Sequence, residues 1–330
     1  MPLNILYICR EKYYFNYKHI FENNLCNYDV GFFLLSLKIF AKVNLSTFKN
    51  ILKHNFTYNY DYAIIDAKLI MDYPLETLMG VFKNKIKSSV SIYISYDRLF
   101  DQKDIICFER CLKVDYYFIP NLLKDIGKYG LPHQYEKKIC GTFHGIGFIS
   151  SPYDLTNNTF IPIERNQDYK FNIFYNGTSY GNNTNRFKIS NYVKNLKNID
   201  NINVKCYPRE MTQKHRLSPI EYVNATRQAK INLVLGGYKN NIAYRFYEVL
   251  YLKSFFLVDS SILNYQISDN FKEKESFVFE NLEQLDTFIN FYLKYDDERE
   301  KLLLKLIQNF EKIYNPQKHG KQIISLLNNN

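Results

Sequence analysis

The 330-residue sequence predicts an α/β protein made of two doubly wound, parallel-sheet units in series. Three observations predict it. Short apolar runs alternate with amphipathic segments along the chain, as buried parallel strands alternate with covering helices. The alternation is interrupted over residues 145–170, where Gly145, Gly147, Pro152 and Pro162 stand among polar residues, and then restarts. At 46% hydrophobic and 17% aromatic residues, the chain holds enough apolar material for two cores and is not disordered by composition. The division predicted is 1–165 and 166–330, with the C-terminal helix able to return to the first unit.

In chain order, Leu3–Cys9 is an apolar run of the kind that opens such a unit. Residues 31–43 read as one helix, 62–66 as a strand and 74–84 as a helix. A strand over 90–95 ends at Tyr96-Asp97-Arg98, a helix follows over 104–113, and a strand over 116–120. After the interruption, residues 171–177 form a strand closing on a glycine turn, 184–197 a helix, 204–207 a strand, and Pro219 opens a helix to about Ala229. Residues 231–237 read as a strand with a Gly236-Gly237 turn, 242–252 as a helix, 255–259 and 276–279 as strands. Asn281 caps a long amphipathic helical region to about Tyr314, with Gln284 three residues on in the manner of a capping box.

Composition narrows the function classes. A net charge of +10 fits a partner rich in phosphate, or a lysine-rich coding bias on a solvated surface. Lys103, Lys113, Lys124 and Lys128 are a candidate basic face on the first unit. Six scattered cysteines with no CxxC pair read as thiols of a reducing compartment, mostly buried, and not as metal ligands. The opening MPLNILYICRE has too short an apolar run for a signal peptide, and no stretch reaches the ~18 apolar residues of a membrane span. A cytoplasmic protein, monomeric by default, is expected. No HExxH, GxSxG or Walker motif is present.

Three segments can carry chemistry. In Asn176-Gly177-Thr178-Ser179-Tyr180-Gly181, a glycine turn between a strand and a helix offers backbone N–H groups to an anion, and Arg186 can add a charge-assisted bond. Such turns are common without a ligand. Arg245 and Glu248, three apart at a helix start, share a face and can offer a cation to phosphate and a carboxylate to ribose hydroxyls. A surface ion pair is the plain alternative. Asp97, at the carboxyl end of a central strand, can take a proton from an acceptor hydroxyl, or simply cap a helix. His144 near the boundary has no pattern around it.

In this order the segments resemble the DNA β-glucosyltransferases of T-even phages, enzymes of the GT-B fold. Ile92-Tyr93-Ile94-Ser95-Tyr96 leading into Asp97-Arg98-Leu99-Phe100 is similar to the family's I-Y-Y-L-F and T-D-I-R-L-P-F, whose Asp is the catalytic base. Tyr175-Asn176-Gly177-Thr178-Ser179 is similar to Y-G-G-S-F, and Ile242-Ala243-Tyr244-Arg245-Phe246-Tyr247-Glu248-Val249 to I-T-L-R-V-W-E-T. Phe256-Leu257-Val258-Asp259 is similar to a following M-L-I-D. The first of the family's two diphosphate arginines has no counterpart here, and the loop before Ile242 is shorter.

The resemblance implies two Rossmann-like domains facing a central cleft. The first would take double-stranded DNA and the second a UDP-sugar. It implies transfer of glucose from UDP-glucose to a hydroxymethylated pyrimidine, with inversion, inside the host cytoplasm if the gene is a phage's. Asp97 would be the base, Arg186 and Arg245 would steady the diphosphate, Glu248 would bind ribose, and Gly177 and Thr178 would contact phosphate. No metal is required where arginines neutralise the leaving group, although Mg2+ or Mn2+ could stimulate. Two alternatives stay open: a GT-B transferase acting on a cell-surface glycan, lipid or protein, and a non-catalytic DNA- or nucleotide-binding protein on the same fold. DNA-dependent turnover separates them.

Overall fold

The computed structural model describes residues 2–26, 30–53, 60–86, 88–94, 109, 112–125, 133–143, 145–147, 149–165, 167–179, 184–208, 217–236 and 244–329. The chain forms two compact units, one of residues 1–145, 150–161 and 315–330, the other of residues 146–149 and 162–314.

The first unit opens with β1 (Leu3–Cys9), α1 (Glu11–Glu22), α2 (Gly31–Phe40), β2 (Ala41–Thr47), α3 (Phe48–Lys53) and β3 (Tyr62–Asp66). A 3-10 turn (Ala67–Met71), α4 (Leu75–Lys85), β4 (Ser89–Tyr93), β5 (Val114–Pro120), α5 (His133–Glu136) and β6 (Ile139–Thr142) follow, then the small antiparallel pair β7 (Tyr153–Asp154) and β8 (Thr159–Phe160). The main sheet is parallel, in the order β2-β1-β3-β4-β5-β6. Side chains alternate along each strand, so both faces of a covered parallel sheet are apolar. Leu6, Ile8, Ala63 and Ile65 enter one core with Phe48, Leu78 and Phe82, while Ile5, Tyr7, Tyr62 and Ile64 enter the other with Phe33, Leu34 and Leu37.

The sequence puts one helix over 31–43, but α2 stops at Phe40, where Ala41 turns extended (φ −135°, ψ 154°) and β2 begins without a loop. Residues 41–47 pair in register with all of β1, from Leu3 opposite Ala41 to Cys9 opposite Thr47. A full ladder of strand hydrogen bonds overrides the helical character of Ala41 and Lys42. The helix expected over 104–113 and the Cys107–Cys111 pair fall mostly outside the described residues. Of the lysines named above, Lys113 and Lys124 are exposed, and Lys103 and Lys128 lie outside the described residues. Cys9 and Cys26 are buried free thiols, and Cys140 and Cys206 are free and half-buried.

The second unit contains β9 (Phe171–Ser179), α6 (Asn185–Lys194), β10 (Ile202–Pro208), α7 (Pro219–Arg227), β11 (Ala229–Val234), α8 (Arg245–Tyr251), β12 (Phe256–Asp259), β13 (Val278–Phe279), α9 (Leu282–Lys294) and α10 (Asp296–Ile313). Its sheet is parallel in the order β10-β9-β11-β12-β13. The predicted cap at Asn281 is present: its Oδ1 accepts from Gln284 N at 2.9 Å, and Gln284 Oε1 accepts from Glu280 N at 2.9 Å. What reads as one helical region to Tyr314 is two helices, broken at Tyr295 (φ −114°, ψ 81°) before the acidic first turn Asp296-Asp297-Glu298.

The last helix, α11 (Pro316–Asn328), belongs to the first unit and packs on α2. A Cβ on Gly320 would overlap Ser36 O and stand 2.9 Å from Phe40 Cδ2, so glycine allows the two helices their close approach. Tyr62 Oη donates to Leu327 O and Tyr116 Oη to Leu326 O at 3.3 Å. His319 is buried against Phe32 and Phe143, with Nε2 2.9 Å from Thr142 Oγ1. Burial lowers its pKa to about 4, opposed by a hydrogen bond with Gln322. The folded protein thus holds His319 neutral where an unfolded chain, with a pKa near 6.5, takes up a proton. Its contribution is complete above pH 6.5 and declines as pH falls towards 4, by up to ~1.4 kcal/mol per pH unit. Melting temperature should fall across that window, and His319→Gln should flatten the fall.

Candidate functional site

In the second unit the chain passes from β9 outward to β10, then crosses back to β11 on the other side of β9. The connections therefore leave in opposite directions at the carboxyl ends of β9 and β11, which opens a crevice there. A cavity of about 290 Å3 occupies this switch point. β9 lines it with Tyr175, Asn176, Gly177 and Thr178, α6 with Arg186, and β10 with Tyr207. The start of α7 adds Pro219 and Tyr222, and the start of α8 adds Arg245 and Glu248. The cavity thus brings together Gly177, Thr178, Arg186, Arg245 and Glu248, all singled out from sequence. Asp97 and His144 lie outside the described residues.

Arg245 and Glu248 stand in the first turn of α8, on one face, while Phe246, Tyr247, Val249 and Leu250 bury the other side. The Arg245 guanidinium lies over two aromatic rings, 5.4 Å from the centre of Tyr175 and 5.0 Å from that of Tyr222. Burial opposes its charge, but Tyr222, Tyr175 and Glu248 outweigh that and raise its pKa further, so the cation is kept. Glu248 is buried, and its Oε2 accepts from Tyr222 Oη at 2.7 Å. Burial raises the Tyr222 phenol well above its ordinary range; Arg245 lowers it and Glu248 raises it. The phenol therefore stays a neutral donor at any working pH. On the other side of the carboxylate, Gly147 comes so close that a Cβ there would overlap Glu248 Oε1.

The glycine turn expected at Gly177 is not a turn: β9 runs on through Gly177 and Thr178 to Ser179, because these residues pair with Cys206, Tyr207 and Pro208 of β10, and Gly177 is required by contact. A Cβ on Gly177 would overlap Tyr175 Oη and stand 3.1 Å from Tyr175 Cε2. Asp259, at the end of β12, holds the turn after β11 by accepting from Gly236 N at 2.7 Å. Its other oxygen accepts from Ser261 N at 3.2 Å and from Ser261 Oγ.

Arg186 differs from its expected use. Its Nη1 donates to Thr178 O at 2.9 Å, Nη2 to Leu235 O at 3.0 Å, and Nε to Gly236 O. The guanidinium ties the ends of β9 and β11 together at the rim of the cavity, so its first task is to hold the crevice in shape. Charged donors to carbonyls contribute roughly 1.5–3 kcal/mol each to a folded state. Arg186→Ala is therefore expected to lower stability by about 2 kcal/mol or more, read as a fall in melting temperature. Lysine, with one compact head in place of a planar fork, should not restore it.

Tyr222 and Tyr207 line the cavity although no motif in the sequence marks them. Asn176 Oδ1 and Tyr175 Oη are buried without a hydrogen-bond partner among the described residues. Tyr222 could have been placed: it follows the Ser218–Glu221 capping box, which fixes the start of α7 and hence the side chain one residue on.

Two Rossmann-like parallel-sheet units in one chain, the second with a cavity at its switch point, define the GT-B fold. Residues 162–325 match the model of a family described as glycosyl transferase-like. The same fold recurs in solved structures over nearly the whole chain. The DNA modifying enzyme β-glucosyltransferase, solved with and without uridine diphosphoglucose, is 13% identical over 98% of this chain and 99% of that one, with a TM-score of 0.57. T4 phage BGT in complex with its UDP-glucose substrate is 12% identical over 99% of both chains, with a TM-score of 0.51. Anabaena HepE in complex with UDP-glucose is 9% identical over 99% of this chain and 100% of that one, with a TM-score of 0.52. No curated protein matches the sequence.

Proposed function

We propose that the protein is a glycosyltransferase that moves glucose from UDP-glucose to the hydroxymethyl group of a modified pyrimidine in DNA. The observation that carries the donor half is the cavity at the β9–β11 switch point, which gathers a cation, a carboxylate and the carboxyl end of β9 around one crevice. Arg245 faces the diphosphate, Glu248 accepts from ribose hydroxyls, and the Gly177 and Thr178 backbone contacts phosphate. A glycosyl transferase-like match over residues 162–325 and UDP-glucose bound in proteins of the same fold support this half.

The acceptor half is supported by the Asp97 segment, the net charge of +10, and a DNA modifying enzyme among the proteins of the same fold. Asp97 takes the proton of the acceptor hydroxyl. The oxygen attacks the anomeric carbon from the face opposite the diphosphate, the C1–O bond to phosphate breaks, and UDP leaves with the bonding electrons. The anomeric centre is inverted. Arg245 stabilises the charge that develops on UDP, so the proposed chemistry requires no metal. Among the described residues no cluster of three or more His, Cys, Asp or Glu could hold a metal ion, and no helix is long and apolar enough to cross a membrane. UDP-sugar and DNA meet in the cytoplasm, where the protein would act.

The test is UDP release from UDP-glucose with and without duplex DNA containing 5-hydroxymethylcytosine. Release that requires this DNA supports both halves. Release that ignores DNA keeps the transferase and overturns the DNA acceptor in favour of a glycan, lipid or protein. A protein that binds UDP-glucose without ever turning it over would be a binding protein on this fold.

A further inference from the structure

We infer that Tyr222 is the positioning residue of the donor site, a single side chain that sets both the ribose-binding carboxylate and the phosphate-binding cation. This rests on the cavity being the nucleotide-sugar site. Tyr222 touches both groups. Its hydroxyl donates to Glu248 Oε2 at 2.7 Å, and its ring lies 5.0 Å beneath the Arg245 guanidinium.

Both groups draw support from Tyr222. Glu248 is a buried carboxylate whose rotamer is held on one side by Gly147 and on the other by Tyr222. Removing the phenolic donor takes away a contact that fixes the carboxylate, and a buried carboxylate that loses a partner is unfavourable. Arg245 is the first residue of α8, on a long flexible side chain. Flanked by the Tyr175 and Tyr222 rings, its planar head is ordered before phosphate arrives, so less freedom is lost on binding. Tyr222 itself is well anchored. Pro219 and the Ser218–Glu221 capping box fix the first turn of α7, and its ring packs near Phe174, centroids 6.3 Å apart.

The two functions separate by substitution and by ligand. Tyr222→Phe keeps the ring under Arg245 and removes the hydroxyl, which donates to Glu248 and also supports the Arg245 cation. Tyr222→Leu removes both. With the full-length protein and titration calorimetry, uridine reads the ribose contact alone, while UDP reads ribose and phosphate together. Tyr222→Phe is expected to weaken uridine about tenfold, the loss of one hydrogen bond to a charged group, and UDP by at least that factor, because the hydroxyl also supports Arg245. Tyr222→Leu is expected to weaken UDP by several-fold more than uridine, the added loss being the ring beneath the cation.

A cycle with Glu248→Ala isolates the positioning role from simple packing. If Tyr222 acts through Glu248, Tyr222→Phe has no further effect on uridine binding once the carboxylate is gone. Two results overturn the inference: Tyr222→Phe binding UDP as tightly as wild type, or its loss persisting undiminished in the Glu248→Ala background. A wild-type protein that binds neither UDP nor uridine overturns the nucleotide-sugar site itself, an outcome distinct from both.

Discussion

Asp97→Ala should lower kcat for sugar transfer by roughly 10²–10⁴-fold, the usual contribution of a positioned general base, and leave UDP binding at the wild-type level. The split follows from where the residues belong. Asp97 follows β4, in the first unit, whereas the groups proposed to hold the donor line a cavity in the second. Asp97→Asn should behave like the alanine variant, because an amide keeps the shape but cannot take the proton. The loss should also be smallest at high pH, where the acceptor hydroxyl needs less help. Steady-state turnover, paired with calorimetric UDP affinity, checks both expectations. Asp66 also stands at the carboxyl end of a strand, β3, which pairs with β4. It is fully buried, accepts from Lys68 N at 2.9 Å and caps the 3-10 turn that follows. It holds backbone in place, and Asp66→Asn should lower the melting temperature. A variant of Asp97 with near wild-type turnover would remove it as the base.

The apolar runs were legible because buried parallel strands carry apolar residues on both faces. Leu3–Cys9, Tyr62–Asp66 and Phe256–Asp259 each read as continuous runs and each form a strand. The edge strand β2 was not, because only one side of it is paired and its alternating Val43, Leu45 and Thr47 carry a weaker signal than the helix before it. α1 went unread for a different reason: in Glu11–Glu22 the aromatic residues are spread around the helix, and only Tyr17 and Ile20 are buried. Within the site, Arg245 and Glu248 were legible through their spacing at a helix start, a local property. Arg186 was legible as a cation near Gly177 in sequence but not in its use. The carbonyls that engage it belong to Thr178, eight residues back, and to Leu235 and Gly236, some fifty residues on. Tyr222 contributes through a partner twenty-six residues away. Partners brought together by a crossover between strands leave no spacing to read.

Gly147→Ala should weaken UDP binding by about a hundredfold, although Gly147 carries no side chain to touch a ligand. It has φ of +38°, in the region where an L side chain meets its own backbone, so alanine there is strained by roughly 1 kcal/mol before any neighbour is considered. The larger effect is on Glu248. A Cβ at this position would overlap Oε1, approach Cδ to 2.5 Å and Cγ to 2.9 Å, and the whole carboxylate arm would have to yield. It cannot do so and keep its bond to Tyr222 Oη, which constrains it from the other side at 2.7 Å. A ligand hydrogen bond lost to a charged group costs roughly 1.5–3 kcal/mol, a factor of about 10 to 10² in affinity. Because the displaced group is the one assigned to ribose, uridine should lose affinity as steeply as UDP, whereas inorganic pyrophosphate, read by Arg245, should be affected little. A Gly147→Ala protein that melts like wild type yet has lost uridine binding would show that the carboxylate, held between a glycine and a phenol, is the part of the site that must not move. Undiminished uridine binding would show that Glu248 takes no part in holding the ribose.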